Sequence, residues 1–247
     1  MSQEAEAEPT NACTPPDTRI YAIGDVHGRA DLLGKLQARI AKDAHRAAET
    51  RKLVVYLGDY VDRGPDSAGV IERLIDGPLA GLEQIFLMGN HEDFFLQFLE
   101  DPEVGPLWVT NGGDATLASY GVKGAKDCGA RDMAALSRSL AQKLPDAHLE
   151  FLKALAVSHR EGDYFFAHAG IRPGVPLDRQ SDDDLLWIRE PFLGSPDEHE
   201  VVVVHGHTPV EEAEVHCNRI AVDTGAVWSG RLTAAVLHGR SKSFLHT

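Results

Sequence analysis

Cysteine is scarce in this sequence of 247 residues. The three cysteines, Cys13, Cys128 and Cys217, lie far apart, and no two of them form a Cys-x-x-Cys pair. Their spacing excludes a cysteine-rich zinc site and a thioredoxin-like redox motif. So sparse and odd a number of thiols is typical of a reducing compartment.

Long hydrophobic runs and excess positive charge are also missing. No apolar run approaches the roughly 20 residues that cross a bilayer, and residues 1–17 lack the basic start and apolar segment of a secretory signal. Asp and Glu number 38 against 24 Lys and Arg, which gives a formal net charge of −14. An acidic chain repels nucleic-acid phosphates and anionic membranes. We therefore expect a cytoplasmic protein without a nucleic-acid or membrane partner, for which a monomer is compatible with the sequence.

The composition is that of a folded α/β protein with an acidic start. Hydrophobic residues make up 43% and charged residues 25%, as in ordinary globular chains. Residues 1–18 are acidic and small, with three prolines, and predict a disordered lead-in. Residues 19–247 are expected to form a single catalytic domain.

Apolar strands alternate with helices in the first part of this domain. The spacing indicates βαβ units and a sheet packed between layers of helix. Residues 93–160 are read as a mostly helical insertion in the same domain. The expected strands are 19–23, 53–57, 85–88, 164–167, 201–204, 219–222 and 232–237, and the expected helices are 30–49, 67–75, 132–143 and 146–157.

Five predicted strands end in loops that carry Asp, Asn or His beside glycine. The carboxyl ends of parallel strands meet at one edge of a sheet, so these side chains are expected to converge. Oxygen and nitrogen ligands without thiolates suit manganese, iron or zinc in a catalytic rather than a structural site. The five loops are Gly24-Asp25-Val26-His27-Gly28, Gly58-Asp59-Tyr60-Val61-Asp62-Arg63-Gly64, Gly89-Asn90-His91-Glu92, Ala167-His168-Ala169-Gly170 and His205-Gly206-His207-Thr208.

The first three of these motifs resemble the signature of the phosphoprotein phosphatase family of calcineurin-like metallophosphoesterases. The likeness is greatest to the bacterial and phage serine/threonine protein phosphatases, and it covers about residues 19–238. It implies an α/β fold, a four-layer αββα sandwich with a mostly helical insertion. It also implies a hydrolase with two divalent metal ions, manganese first, with iron or zinc as alternatives.

The resemblance also implies roles for residues at matching positions of this chain. Asp25 and His27 would hold the first metal, and Asp59 would bridge both. Asn90, His168 and His207 would complete the second. His207 is preferred to His205 because the family's ligand precedes Thr in Gly-His-Thr. His205 is expected to pack beneath the site.

Further residues match the catalytic positions of the family. By resemblance, His91 is the general acid for the leaving group, and Asp62 orients its ring. Arg63, Asn90 and Arg189 would bind the substrate phosphate. Arg189 has another interpretation, since residues 178–200 form an acidic stretch with eight Asp and Glu in which an arginine could simply be paired.

The expected function is hydrolysis of phosphoserine and phosphothreonine in phosphorylated proteins or peptides, by a hydroxide that bridges the metals. One alternative is a bis(5′-nucleosyl)-tetraphosphatase, a branch that tends to lack the equivalent of Asp62. A second is a phosphotyrosine-preferring phosphatase. A third is a scaffold without turnover, which a missing ligand would favour.

One departure from the family's pattern is the stretch Asp223-Thr224-Gly225-Ala226, where the eukaryotic branch has Ser-Ala-Pro-Asn-Tyr-Cys. Substrate grooves of that branch are therefore not transferred.

Overall fold

A computed structural model of the protein describes residues 11–77, 79, 81–124 and 132–247. Its first sheet combines parallel central strands with an antiparallel edge. The strands are β1 (Thr18–Ile23), β2 (Arg51–Tyr56), β3 (Glu83–Phe86), β9 (Thr233–His238) and β10 (Ser241–His246). Their order is β10-β9-β1-β2-β3, in which β1, β2 and β3 run parallel and β9 and β10 antiparallel.

The second sheet repeats this mixture. Its strands are β4 (Ser158–Glu161), β5 (Tyr164–Ala167), β6 (Val202–His205), β7 (Glu214–Val215) and β8 (Arg219–Ala221). Their order is β4-β5-β6-β8-β7, and the three central strands β5, β6 and β8 are parallel. The polar loops follow the carboxyl ends of the parallel strands, which is where the sequence led us to expect a site.

Helices alternate with the strands along the chain and pack on the outer faces of the two sheets. None that the structure describes is long and apolar enough to cross a membrane. Two 3₁₀ turns, Pro102–Val104 and Leu177–Arg179, and a π-helical turn, Val109–Gly113, accompany them. The α-helices are α1 (Ala30–Arg46), α2 (Ser67–Asp76), α3 (Asn90–Glu100), α4 (Gly105–Trp108), α5 (Asp114–Ser119), α6 (Met133–Lys143), α7 (Asp146–Lys153), α8 (Asp182–Trp187) and α9 (Ala226–Ser229).

Three apolar clusters define four layers. Side chains from the facing sides of the two sheets, such as Ile20, Val55, Phe166 and Val204, form the central cluster. The outer face of the first sheet packs against α1, α2 and the helical insertion. The outer face of the second sheet is covered by α8 and neighbouring loops, with Phe192 in that cluster. The predicted αββα sandwich is confirmed, although its fourth layer contains little helix.

Several boundaries differ from the sequence prediction. The third strand ends at Phe86 rather than Met88; beyond it, Leu87 forms an isolated bridge with Ala156, and the amide of Met88 donates to the carbonyl of Ala156. The same pairing ends α7 at Lys153 rather than at 157. The antiparallel strands β4, β7 and β10 were not predicted, since β4 and β10 are mostly polar and β7 has only two residues.

The predicted lead-in of residues 1–18 needs correction over its described part. Residues 1–10 lie outside the described residues. From residue 11 the segment is packed: the amide of Cys13 donates to Asp163, Thr14 donates its amide to the carbonyl of Gly239, and Thr18 begins β1. The acidic stretch of residues 178–200 contains helix α8, which Ser181 caps by accepting the amide N–H of Asp184.

A truncation in the central cluster tests the packing between the sheets. Phe166 is fully buried there. We expect Phe166→Ala to lower the free energy of unfolding by about 3–5 kcal/mol, because it leaves a cavity that the two sheets cannot fill. Phe244→Ala, at the partly buried edge of the same cluster, is the control and should cost less. Urea denaturation measures both, and a larger loss for Phe244→Ala would contradict this account of the core.

Candidate metal centre and active site

The polar loops meet at one place and hold an unusual backbone there. Five non-glycine residues have positive φ in these loops: His27, Asp59, Asp62, Arg63 and His207, with φ between 43° and 69°. Such conformations cost on the order of 1–3 kcal/mol each and persist only when the surroundings impose them. Backbone hydrogen bonds supply the constraint, since the amides of Val26 and His27 both donate to the carbonyl of Asp59.

Two glycines allow carboxylates to approach the backbone. A Cβ on Gly89 would lie 2.2 Å from Oδ1 of Asp59, and one on Gly206 would lie 2.1 Å from Oδ1 of Asp25. No side chain fits at such distances. Glycine beside each carboxylate is therefore required by close packing of the site.

Four side chains that could ligate a metal, those of Asp59, Asn90, His168 and His207, converge where the sequence predicts the second cation. Nε2 of His168 lies 3.0 Å from Oδ1 of Asn90 and 3.4 Å from Oδ1 of Asp59. Nδ1 of His207 lies 2.9 Å from Oδ1 of Asn90 and 3.2 Å from Nε2 of His168. His168 uses its Nδ1–H to donate to the carbonyl of Leu57, so its Nε2 carries a lone pair. Lone pairs thus face one another in a buried space.

Around the predicted position of the first cation lie His27 and three carboxylates. Nδ1–H of His27 donates to the carbonyl of Val61, which leaves Nε2 as an acceptor 3.4 Å from Oδ2 of Asp59. Asp25 accepts the backbone N–H of His207 at 3.1 Å. Burial, followed by the charges of Asp223 and Asp59, raises the pKa of Asp25 well above its usual range.

This donor set fits divalent cations. Within the described residues, the donor atoms of His27, Asp59 and His91, and those of Asp59, His168 and His207, lie within 4.8 Å of one another. Burial lowers the pKa of His27 and that of His207 to about 3, so both rings are neutral, as metal ligation requires. Nε2 of His207 is buried without a hydrogen-bond partner. Asp25 is absent from both groups, although it is buried beside them.

His91 differs from the other histidines of the site. Its Nδ1 lies 2.7 Å from Oδ2 of Asp62, and both residues are buried. Burial opposes protonation of His91, but Asp59 and Asp62 outweigh burial and raise its pKa. Its Nε2 lies 3.9 Å from Oδ2 of Asp59. His91 therefore holds a proton where the neighbouring rings offer lone pairs.

The two predicted phosphate-binding arginines have different surroundings. Nη1 of Arg63 donates to Nε2 of His27 at 2.6 Å, and its guanidinium lies 5.4 Å from the ring centroid of Trp228. Arg189 is exposed, and its positive charge contributes to the lowered pKa of His207, which places it within electrostatic range of the site.

His205 lies outside the cluster of donor atoms. It is fully buried at the end of β6, and its ring meets that of Phe192 edge-on at 5.2 Å. Its Nδ1 lies 3.1 Å from the carbonyl of Gly206, and burial lowers its pKa to about 4. The neighbouring His207, in contrast, faces Asn90 and His168.

Glu92 is a structural residue of the site to which the sequence analysis gave no role. Its carboxylate accepts backbone N–H groups from Asp59, Tyr60, Val61 and Gly89 at 2.7–3.1 Å. These four donors fill the acceptor positions of a carboxylate, so the ionised form fits although burial raises the pKa of Glu92 to about 8. Its place in Gly-Asn-His-Glu, opening α3, was the available signal.

Other contributing residues were missed for different reasons. Asp223 follows β8 as the other polar residues follow their strands, so the same rule could have found it. Burial raises its pKa to about 6. Trp108 and Thr116 hydrogen-bond Asp62 from the helical insertion, and no sequence motif marks them.

Comparisons with known proteins agree with this geometry. The family model described as calcineurin-like phosphoesterase matches residues 18–230. The chain is 30% identical over 224 residues to serine/threonine-protein phosphatase 1 of Salmonella typhimurium, across 87% of this chain and 90% of that protein. It is 28% identical over 239 residues to bis(5′-nucleosyl)-tetraphosphatase PrpE of Oceanobacillus iheyensis, across 87% of each.

A solved structure supports the fold. The cold-active protein-tyrosine phosphatase of a psychrophilic Shewanella species superposes with a TM-score of 0.57 and 20% identity. The match covers 94% of this chain and 83% of that one. At this identity the likeness concerns the fold alone.

The two neighbouring histidines give a direct test of the donor set. After dialysis against manganese and removal of free metal, His207→Ala should retain less manganese per chain than the unaltered protein, because it removes one of the three side chains, Asp59, His168 and His207, that could hold a cation together. His205→Ala is the matched control and should retain full metal content, with lower thermal stability. Elemental analysis measures both variants. Metal loss in His205→Ala with full content in His207→Ala would reverse the assignment.

Proposed function

Because this chain belongs to the calcineurin-like phosphoesterase family, and is therefore a phosphoester hydrolase, we propose that it removes phosphate from phosphoserine and phosphothreonine in proteins. The observation that carries this proposal is the buried pair of His91 and Asp62, 2.7 Å apart. Serine and threonine leave as strongly basic alkoxides, which need a proton as the ester bond breaks. A dedicated acid beside the donor cluster suits that class of leaving group.

The metal ligands in this proposal are the residues matched by motif. Asp25 and His27 would hold one cation, Asp59 would bridge, and Asn90, His168 and His207 would hold the other. Divalent cations bound there supply positive charge for the phosphate oxygens and lower the pKa of the attacking water. Manganese is the proposed metal, since the mixed oxygen and imidazole ligands suit it. The neutral rings of His27 and His207 support their part in this set.

His91 is proposed as the general acid rather than as a ligand. Oδ2 of Asp62 accepts a hydrogen bond from Nδ1–H of His91, and this directs Nε2 of His91 towards the cluster that contains Asp59. The charges of Asp59 and Asp62 favour the protonated form of His91. It would then pass the Nε2 proton to the leaving oxygen as the bond to phosphorus breaks.

Arg63 and Arg189 are proposed to bind the phosphate together with Asn90. The planar guanidinium of an arginine can donate two parallel hydrogen bonds to one phosphate. Arg63 lies beside His27, and Arg189 lies within electrostatic range of His207. Together with two divalent cations, these charges would make the site locally positive in a protein with a net charge of −14, which would allow an anionic phosphoprotein or phosphopeptide to bind.

A second candidate function is hydrolysis of dinucleoside tetraphosphates. It is favoured by the identity of 28% to the PrpE tetraphosphatase. It is also favoured by Trp228, which is 66% exposed and lies over Arg63. An exposed indole beside a phosphate-binding arginine could stack on a nucleobase. The same indole could stack on the ring of phosphotyrosine.

A substrate panel separates these candidates. With manganese present, we expect kcat/KM to be highest for phosphoserine and phosphothreonine peptides, compared with a phosphotyrosine peptide of the same sequence and with diadenosine tetraphosphate. The phosphopeptides share one sequence and differ only in the phosphorylated residue, so each serves as the matched control for the others. Highest turnover of the dinucleotide would replace the proposal with the tetraphosphatase, and highest turnover of phosphotyrosine would replace its substrate class.

The role of His91 predicts a dependence on the leaving group. His91→Asn should keep its metal content but lose turnover of a phosphoserine peptide by roughly 10²–10⁴-fold. Its loss on 4-nitrophenyl phosphate should be clearly smaller, because nitrophenolate leaves as a weak base. Asp62→Asn should show the same order with a milder drop. Loss of metal from His91→Asn would identify it as a ligand, and equal losses on both esters would exclude the acid role.

A further inference from the structure

A short segment of the helical insertion contacts Asp62, the partner of His91. We call residues 105–116, which comprise α4, the π-helical turn and the start of α5, the insertion clamp. From this clamp the indole N–H of Trp108 donates to Oδ2 of Asp62 at 2.8 Å. The hydroxyl of Thr116 donates to Oδ1 of Asp62 at 2.6 Å. Trp108, Thr116 and Asp62 are all fully buried.

These contacts fix the carboxylate of Asp62 in one orientation. Oδ2 accepts both the indole of Trp108 and Nδ1–H of His91, while Oδ1 accepts Thr116. Burial raises the pKa of Asp62, and hydrogen bonds to its oxygens oppose that effect. A carboxylate without these donors would be free to rotate or to become neutral, and it would then hold the ring of His91 less well.

The clamp also supports the backbone that carries Asp62 and Arg63. Both residues have positive φ, 69° and 65°. The amide of Asp62 donates to Oγ1 of Thr116 at 2.8 Å, and the amide of Arg63 donates to the carbonyl of Gly112 at 3.1 Å. A left-handed conformation persists only where its surroundings impose it. Here the insertion clamp imposes it on two consecutive residues together with Ser67 of α2, whose Oγ also accepts the amide of Asp62, at 3.1 Å.

The insertion clamp packs against α3, the helix that carries His91 in its first turn. The ring of Trp108 packs against Phe95 and Phe98 of α3, with ring centroids 5.6 and 4.7 Å away. A Cβ on Gly113 would lie 2.4 Å from the indole, so this packing requires glycine there. Since α3 starts at Asn90 and carries His91 in its first turn, His91 and the support for its partner share one rigid unit.

We propose that Trp108 and Thr116 are positioning residues for the proton transfer by His91, and that the helical insertion orients the acid through them. The inference rests on the proposed function, in which His91 protonates the leaving oxygen. Trp108 and Thr116 touch Asp62 rather than substrate. Their removal should therefore impair those reactions in which the leaving group needs a proton, and should spare those in which it does not.

Replacement of the indole gives the first test. Trp108→Phe keeps an aromatic ring against Phe95 and Phe98 but removes the N–H donor. We expect kcat for a phosphoserine peptide to fall by roughly 10- to 100-fold, the usual effect of losing a hydrogen bond to a charged group. The fall for 4-nitrophenyl phosphate should be several-fold smaller, with KM for both esters and manganese content unchanged.

A matched pair at Thr116 keeps the inference testable if Trp108→Phe does not fold. Thr116→Val has nearly the same shape without the hydroxyl, and we expect it to reproduce the leaving-group dependence of Trp108→Phe. Thr116→Ser retains the hydroxyl and should restore the leaving-group dependence of the unaltered protein. Leu140→Ala is the stability control, because Leu140 is fully buried on α6 in the same core and its aliphatic side chain offers no donor. It should lower thermal stability without changing the ratio between the two esters.

The outcomes are distinct. Equal losses on both esters, or a changed ratio in Leu140→Ala, would overturn the positioning role while leaving the proposed function intact. If His91→Asn itself lost both esters equally, the acid role would fail, and the positioning role would fail with it. A smaller loss on the aryl ester in Trp108→Phe and Thr116→Val, with recovery in Thr116→Ser, supports the inference.

Discussion

Four carboxylates, those of Asp25, Asp59, Asp62 and Asp223, are buried near the ends of strands, and each needs a positive charge or hydrogen-bond donors where it lies. The protein satisfies this need in two ways. Asp62 receives donors from a histidine, a tryptophan and a threonine. Asp25, Asp59 and Asp223 lie together beside neutral histidines, a setting in which divalent cations would balance the charge.

This division also explains why chemically similar side chains have different proposed roles. Burial lowers the pKa of His27, His168 and His207 and so favours their neutral rings. The carbonyls of Val61 and Leu57 accept the Nδ1–H of His27 and His168, which leaves the Nε2 lone pairs of these two rings facing the cluster. His91 faces two carboxylates, so its proton is stabilised. A ligand and an acid can therefore stand side by side, because the partner of each ring determines which of its two forms is favoured.

The sequence predicted most of this arrangement for a specific physical reason. Asp25, Asp59, Asn90, His168 and His207 each follow an apolar strand, and parallel strands bring such positions to one edge. Asp62 is held from 46 and 54 residues away by Trp108 and Thr116. Such contacts depend on how the helical insertion packs. That packing produces no motif and no hydrophobic periodicity in the sequence that could have predicted them. Strands β4, β7 and β10 were missed because they lack a long apolar run.

A crystal structure grown with manganese, with anomalous data collected to locate the metal, tests the central claim most directly. The account predicts two anomalous peaks. One should lie among Asp25, His27 and Asp59, and the other among Asp59, Asn90, His168 and His207. His91 should remain hydrogen-bonded to Asp62 and outside both coordination spheres. A single peak, or a peak bound by His91 or His205, would contradict the account.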